Sequence, residues 1–255
     1  MLIDSHAHLQ DKAYRDDRDE VIRRALEGGL EGIVCVGYDL ESSLETVEIA
    51  RAHPKISAVV GIHPHDAKTL TPDTQERLYQ LGRDPKVVAI GEIGLDFYRD
   101  LSPREVQKEA FIAQIRLARE LKKPVVIHDR DAHQEVLEII KQEKAGENGG
   151  VMHCYSGSLP MAIELIKLGF HISFAGPLTF KNARRALEVA ARLPLDRILV
   201  ETDCPYLTPE PLRGRRNEPL HVREVARKLA EIRRRALAEI AYLTSKNTRE
   251  VFRIS

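Results

Sequence analysis

Two apolar runs separated by one long amphipathic segment occupy the middle of the chain. The segments read VVAIGEIGLDF (87–97), REVQKEAFIAQIRLARELKK (104–123) and PVVIHDR (124–130). Apolar residues of the middle segment recur at the spacing of one helix face, at Val106, Phe111, Ile115 and Ala118. A strand, a helix and a second strand in this order predict a βαβ unit with parallel strands.

The same alternation continues in both directions. Six further apolar runs are typical of strands: MLIDSHAH (1–8), GIVCVG (32–37), ISAVVGIHP (56–64), GVMHCYSG (150–157), FHISFAG (170–176) and ILVETDCP (198–205). Eight strands, nearly all followed by a helix, predict an α/β protein with the TIM (β/α)8 barrel fold, as a single domain over residues 1–255. A doubly wound sheet is disfavoured because no Gly-x-Gly-x-x-Gly motif follows the first strand.

Composition limits the partners and the compartment. The 39 Lys and Arg residues balance 39 Asp and Glu residues, so no global positive field attracts nucleic acid, and a polyanion would need a local site. Three well-separated cysteines disfavour a disulfide framework. No signal-peptide pattern and no run of ~20 apolar residues is present. We therefore expect a cytoplasmic protein with no membrane contact and no implied protein partner.

Polar side chains interrupt the apolar runs, mostly near their carboxyl ends. In a parallel barrel these ends converge on one mouth, where active sites are built. The residues are His6, His8, His63, His65, Glu92, His128, His153 and Asp203. Residues up to two hundred positions apart are therefore expected to be neighbours.

His6 and His8 point to the same face of their strand because side chains alternate along a strand. Two buried imidazoles leave unsatisfied or repulsive nitrogens unless something joins them, and a divalent metal does so. The pair alone is equally compatible with structural hydrogen bonding. The nitrogen and oxygen donors at this mouth, too many for one tetrahedral site, favour two metals sharing a bridge; they are His6, His8, Glu92, His128, His153 and Asp203.

Several motifs together resemble those of one known family. They are DSHAHL (4–9), GIHPHDA (61–67), AIGEIGLDF (89–97), PVVIHDRDA (124–132), MHCYSG (152–157), ETDCPYL (201–207) and RGRRNEP (213–219). In this order they resemble the TatD family of metal-dependent hydrolases, within the amidohydrolase superfamily of TIM barrels. The resemblance extends to NTREVFRI (247–254), and Tyr155 stands where the family often has Phe.

The resemblance implies a binuclear centre. It assigns His6, His8 and Asp203 to one metal, His128 and His153 to the other, and Glu92 to both. It implies Mg²⁺, although these donors also accept Mn²⁺, Zn²⁺, Co²⁺ or Ni²⁺. Asp203 and Glu92 are then the catalytic residues, with Asp203 orienting the water and moving its proton. Asp4 is expected either to fix a histidine tautomer or to hydrogen-bond the backbone.

The resemblance also implies a deoxyribonuclease that acts as a 3′-to-5′ exonuclease on single strands. The expected substrate is therefore the 3′ end of a single-stranded nucleic acid. Phosphate contacts are predicted for His65, Arg213, Arg215, Arg216 and Asn217. A solvated basic loop is the alternative for the arginines. Phe97, Tyr98, Tyr155 and Tyr206 either stack terminal bases or pack in the fold.

Two other functions fit the same residues. A hydrolase for a small amide, ester or lactone is allowed by the superfamily, because an activated water attacks a carbonyl as well as a phosphorus. The three arginines of the 208–221 loop favour an anionic substrate instead. A non-catalytic binding protein with a metal-stabilised barrel is disfavoured, because structural zinc sites usually close four ligands, often including Cys.

Overall fold

Eight strands follow one another around a barrel in the computed structural model, which describes residues 2–254. They are β1 (Leu2–Ala7), β2 (Leu30–Val36), β3 (Ile56–Val60), β4 (Val87–Asp96), β5 (Val125–Arg130), β6 (Gly150–Met152), β7 (Phe170–Phe174) and β8 (Ile198–Val200). Each pairs in parallel with the next, in sequence order. Ala7 bridges to Cys204, and the His8 N–H donates to the Cys204 carbonyl at 2.9 Å. The predicted eight-stranded (β/α)8 barrel is confirmed; Met1, placed in its first strand, lies outside the described residues.

Helices separate the strands and cover the barrel. They are α1 (Arg18–Glu27), α2 (Leu40–Ala52), α3 (Pro72–Gly82), α4 (Arg104–Glu120), α5 (His133–Gln142), α6 (Leu159–Lys167), α7 (Arg184–Arg192), α8 (Val222–Arg233) and α9 (Leu237–Phe252). The segment predicted as helical over 104–123 ends at Glu120, because Lys122 has a left-handed backbone (φ 54°) and Pro124 follows. Among residues 2–254, no helix has the length and apolarity to cross a membrane.

Alternate residues of the strands divide the core into two layers. One small cluster comprises Val34, Val36, Val59, Ala89, Val126, Val151, Leu199, Val251 and Phe252. A larger cluster packs the other strand face against the helices and includes Ile33, Cys35, Ala58 and Val60. Side chains of α9 thus join the smaller cluster, and Ser245 of α9 accepts from Ile3 N–H near the amino end of β1 (3.0 Å). Burial of each Val, Leu or Ile side chain stabilises the fold by about 1.5–3 kcal/mol.

Three strands end four or five residues earlier than the sequence predicts. β3 stops at Val60 rather than 64, β6 stops at Met152 rather than 157, and β8 stops at Val200 rather than 205. The chain beyond β6 and β8 bends through a left-handed residue, Cys154 (φ 41°) and Asp203 (φ 55°) respectively. His153 and Asp203 therefore lie on loops at the mouth rather than within the sheet.

Candidate metal centre

All six predicted ligands meet at the barrel mouth. β1 carries His6, with His8 just beyond it; β4 carries Glu92 and β5 carries His128. His153 follows β6 and Asp203 follows β8. The least buried of the six side chains, that of His128, is only 17 % exposed. Barrel closure therefore converts six distant residues into one cluster.

One group of donors surrounds a common point near the β1 end. The Nε2 atoms of His6 and His8 lie 3.3 Å apart. Asp203 Oδ1 is 3.2 Å from His8 Nε2 and 3.8 Å from His6 Nε2. The Nδ1 of His8 lies 2.7 Å from the Val36 carbonyl, which favours the proton on Nδ1 and leaves the Nε2 lone pair toward the group. Converging nitrogen and oxygen lone pairs of this kind fit a divalent cation.

Glu92 connects this group to a second one. Its Oε2 lies 3.4 Å from His6 Nε2 and 3.8 Å from His8 Nε2. Its Oε1 faces the other side, 2.8 Å from His128 Nδ1 and 3.5 Å from His153 Nε2. The carboxylate thus presents one oxygen to each group. The family resemblance implies this position between two metals, and the distances are consistent with it.

The second group contains a histidine that the sequence left without a metal role. His63 Nε2 lies 3.6 Å from Glu92 Oε1, and donors of His63, Glu92 and His128 lie within 4.8 Å of one another. Donor atoms of His6, His153 and Glu201 also lie within 4.8 Å of one another. The structure therefore surrounds the expected second cation with more donors than the two histidines predicted for it.

Sequence reasoning missed two buried carboxylates behind these histidines. Asp96 Oδ2 lies 3.1 Å from His128 Nε2, and Glu201 Oε1 lies 2.7 Å from His153 Nδ1. A signal for both was available. Asp96 lies four residues after Glu92, and Glu201 lies two before Asp203, so alternation along a strand predicts the same face for each pair.

This chain is similar to known proteins over almost its whole length. The family described as TatD related DNase matches residues 3–253. The chain belongs to the TatD family. A protein named as the uncharacterized metal-dependent hydrolase YabD, of Bacillus subtilis, is 46% identical over 255 residues, covering 100% of both chains. The 3′-5′ ssDNA/RNA exonuclease TatD of Escherichia coli is 34% identical over 261 residues, again covering 100% of both.

A solved structure agrees with the fold. The TatD homologue YJJV of Escherichia coli superimposes with a TM-score of 0.94 at 31% identity, covering 100% of this chain and 98% of the other. Family membership, full-length coverage and the clustered histidines and carboxylates identify this protein as a metal-dependent hydrolase of the TatD family.

Electrostatics divide the histidines of this TatD-family site into two classes. Burial alone would lower the pKa of His128, but hydrogen bonds to Asp96 and Glu92 raise it to about 9. Burial would likewise lower the pKa of His153, but the carboxylates of Glu201 and Glu92 raise it to about 10. Burial lowers the pKa of His63 well below its usual value, and nearby His128 lowers it further. His128 and His153 therefore carry protons at neutral pH when no metal is bound.

Carboxylates of the site are ionised despite their burial. Burial alone would raise the pKa of Glu92, but His153 and His63 hold it well below the usual range. Burial would likewise raise the pKa of Asp203, but His153 and His8 lower it. Both groups can consequently serve as anionic ligands at neutral pH.

The predicted phosphate-binding residues do not share one environment. Nε2 of His65 contacts Asp96 Oδ2 at 2.9 Å. Arg213 lies over the Phe180 ring at 4.0 Å, and Arg215 is exposed. These three residues therefore differ in how free their polar groups are, and phosphate binding by them stays a prediction.

Arg216 and Asn217 are engaged within the protein. Arg216 pairs with Asp17 Oδ2 at 2.6 Å and donates to the Ala13 carbonyl at 2.7 Å. Asn217 is fully buried, and its amide donates to the carbonyls of Thr202 (3.0 Å) and Tyr206 (2.6 Å). These contacts hold the loop, so a phosphate contact by the Asn217 side chain would have to break them.

Asp4 takes the second of its two expected roles. Its Oδ1 accepts from the Thr202 N–H at 2.9 Å, and its Oδ2 accepts from the Thr202 hydroxyl at 2.6 Å. His6 Nδ1 is buried without a hydrogen-bond partner. Asp4 therefore fastens the backbone between β1 and the loop after β8, and does not fix the His6 tautomer.

Of the aromatic residues near the mouth, some are packed inside the fold and others are exposed to solvent. Tyr155 is buried, whereas Tyr98 is 60% exposed and Tyr206 is 52% exposed. Tyr98 carries Arg130 over its ring at 4.0 Å, and the Tyr206 hydroxyl donates to Asp11 at 2.9 Å. The exposed rings remain available for contact with a substrate.

Proposed function

We propose that this protein is a deoxyribonuclease that removes nucleotides from the 3′ end of single-stranded DNA, using two divalent cations. The supporting observation is Glu92, whose two oxygens face separate groups of donors at 2.8–3.8 Å. A shared carboxylate suits paired cations, which stabilise both the attacking and the leaving oxygen of a phosphoryl displacement. A relative named as a 3′-5′ ssDNA/RNA exonuclease supports the substrate and polarity.

The cations have defined holders in this proposal. His6, His8 and Asp203 would hold one, His128 and His153 would hold the other, and Glu92 would be shared between them. Mg²⁺ is the proposed ion, and Mn²⁺, Zn²⁺, Co²⁺ and Ni²⁺ suit the same donors. When bound, such cations lower the pKa of a coordinated water and neutralise charge on the phosphate.

Asp203 is the proposed proton carrier. Its Oδ1 lies 3.2 Å from His8 Nε2, and its side chain is 14% exposed, so it is held in place yet open toward the mouth. Because its pKa is lowered, it is ionised at neutral pH and can accept a proton from the attacking water. The same carboxyl then gives that proton to the leaving 3′ oxygen.

Recognition of the strand rests on exposed groups around the mouth. Arg213 and Arg215 are exposed and offer guanidinium groups to phosphate. Tyr98 and Tyr206 expose aromatic rings on which a terminal base can stack. The zero net charge of the chain suits a short contact with a strand end better than the wrapping of a duplex.

The test uses one oligonucleotide labelled at either end. With Mg²⁺ or Mn²⁺ and the 5′ label, stepwise shortening to a ladder is expected; the 3′ label should appear at once in mononucleotide. Asp203→Asn should abolish both products. Glu188→Gln, at an exposed carboxylate paired with Arg192 on α7, is the matched control and should retain them.

Three outcomes would contradict the proposal. Shortened products that retain the 3′ label would reverse the polarity. Internal cuts without a ladder would indicate an endonuclease. Hydrolysis of amides, esters or lactones without any oligonucleotide cleavage would support the carbonyl hydrolase instead.

A further inference from the structure

A buried carboxylate without an assigned role lies beneath both donor groups. Glu201 follows β8 and is fully buried. Its Oε2 accepts from the Ser173 hydroxyl at 2.5 Å, and its Oε1 accepts from the Cys154 N–H at 2.8 Å. The same Oε1 lies 2.7 Å from His153 Nδ1. Both oxygens are therefore held by the protein, and the charge has a fixed position.

Two stacked imidazoles face this charge. The rings of His6 and His153 lie 3.8 Å apart at an interplanar angle of 23°. Donor atoms of His6, His153 and Glu201 lie within 4.8 Å of one another. Each ring directs its Nε2 toward Glu92, at 3.4 Å for His6 and 3.5 Å for His153. Glu201 thus lies behind one histidine from each donor group.

We propose that Glu201 is a positioning residue that orients His153 for cation binding through its contact with Nδ1, and His6 indirectly through the stacking of His6 on His153. A carboxylate near Nδ1 favours the proton on that nitrogen, which leaves the Nε2 lone pair free for the cation. The 2.7 Å approach to His153 is a charge contact rather than an aligned hydrogen bond. This inference rests on the two-cation centre of the proposed function.

The loop after β6 gives a second reason for this role. Cys154 has a left-handed backbone with φ 41°, an uncommon conformation for a residue with a side chain. Its N–H donates to Glu201, so the carboxylate also fixes the backbone next to His153. The same group therefore contacts the imidazole and fixes the backbone next to it.

The other histidines have different support. His8 Nδ1 contacts the Val36 carbonyl at 2.7 Å, and His128 Nε2 contacts Asp96 Oδ2 at 3.1 Å. Neither contact involves Glu201. Loss of its charge should therefore weaken the site of His153 most, the site of His6 less, and leave the orientation of His8 and His128 unchanged.

The experiment measures metal binding by the full chain without any substrate. Protein stripped with a chelator and then desalted is titrated with Mn²⁺ by calorimetry, for the wild type and Glu201→Gln. Glutamine keeps the size and can still accept from Cys154, but it lacks the charge. Affinity for at least one Mn²⁺ should fall about 10–100-fold. Unchanged affinity in the folded variant would overturn the inference.

Two further variants separate positioning from folding. Glu201→Asp keeps the charge but moves it away from His153 by one methylene, so Mn²⁺ affinity should again fall. This variant tests the inference even if the glutamine variant does not fold. Wild-type affinity in Glu201→Asp would overturn the inference. Asp84→Asn is the matched control, because the Asp84 side chain is only 11% exposed but pairs with Arg51 before the amino end of β4, away from the cluster of ligands. An equal loss of affinity in Asp84→Asn would show that the effect is not specific to Glu201.

The titration also separates this inference from the nuclease proposal. A wild type that binds Mn²⁺ but leaves every oligonucleotide intact would refute the nuclease alone. A wild type that shortens DNA, beside a Glu201→Gln protein with normal Mn²⁺ affinity, would refute the role of Glu201 alone.

Discussion

Without bound metal, the protein is expected to lose stability as the pH rises from 7.0 to 8.5. Burial would lower the pKa of His128 and His153, but the surrounding carboxylates raise these values to about 9 and about 10. An unfolded histidine titrates near ~6.5. A raised pKa contributes stability that is complete below the unfolded value and is lost as the pH rises through the folded value. In this window the folded chain therefore holds protons that the unfolded chain has released.

The size of the effect follows from the number of protons. The two extra protons that the folded state holds on His128 and His153 lower the free energy of unfolding by about 2.7 kcal/mol for each unit that the pH rises. Across the window the loss is about 4 kcal/mol, a large share of the ~5–15 kcal/mol of a typical domain. Burial would also lower the pKa of His8, but Asp203 and Glu92 raise it, so His8 adds to the slope in the same direction. His6 and His63 have lowered pKa values, so both are neutral in either state here and do not change the slope.

Urea unfolding in excess chelator at pH 7.0, 7.5, 8.0 and 8.5 measures this slope. His153→Gln should show a smaller slope, because one of the extra protons of the folded state is removed. His171→Gln is the matched control: burial lowers the pKa of His171 to about 4, so it is neutral throughout and the slope should stay that of the wild type. Stability that is constant or increases over the range would refute the reasoning.

Other predictions concern catalysis, binding and packing. Asp203→Asn should slow oligonucleotide shortening about 10²–10⁴-fold in Mg²⁺, measured by gel; wild-type rates would exclude its role as proton carrier. Arg213→Ala should raise KM for the oligonucleotide with little change in kcat, and the KM should depend less on salt; an unchanged KM would remove this phosphate contact. Phe111→Ala, at a fully buried ring of α4, should lower the free energy of unfolding by about 3–5 kcal/mol in urea, and a loss below about 1 kcal/mol would show that the core refills the space.

Local sequence patterns were sufficient for the fold because strand and helix periodicities are short-range. The apolar alternation over 87–130 predicts β4, α4 and β5, and all three are present within a few residues. Boundaries were less accurate where backbone conformation ends an element. Asp203 and Cys154 adopt left-handed conformations that no apolar pattern reveals, so β8 and β6 are shorter than expected.

The candidate site was predictable as a set of residue types. Strand alternation places His6 and His8 on one face, and barrel geometry brings Glu92 to the same mouth. The same alternation could have identified Glu201 from its spacing to Asp203. Its role was not predicted, because its partner His153 comes from another strand and meets Glu201 only in the closed barrel.

The sequence by itself determined the barrel class and the kinds of donor at its mouth, because both depend on residue type and local period. Only the tertiary structure decided that Glu92 presents one oxygen to each donor group, that Glu201 lies behind His153, and that Asn217 is buried in its own loop. These contacts join residues more than thirty positions apart or depend on the course of an irregular loop. Their distances are set by the pairing of the strands and by closure of the barrel, and local sequence carries no measure of either.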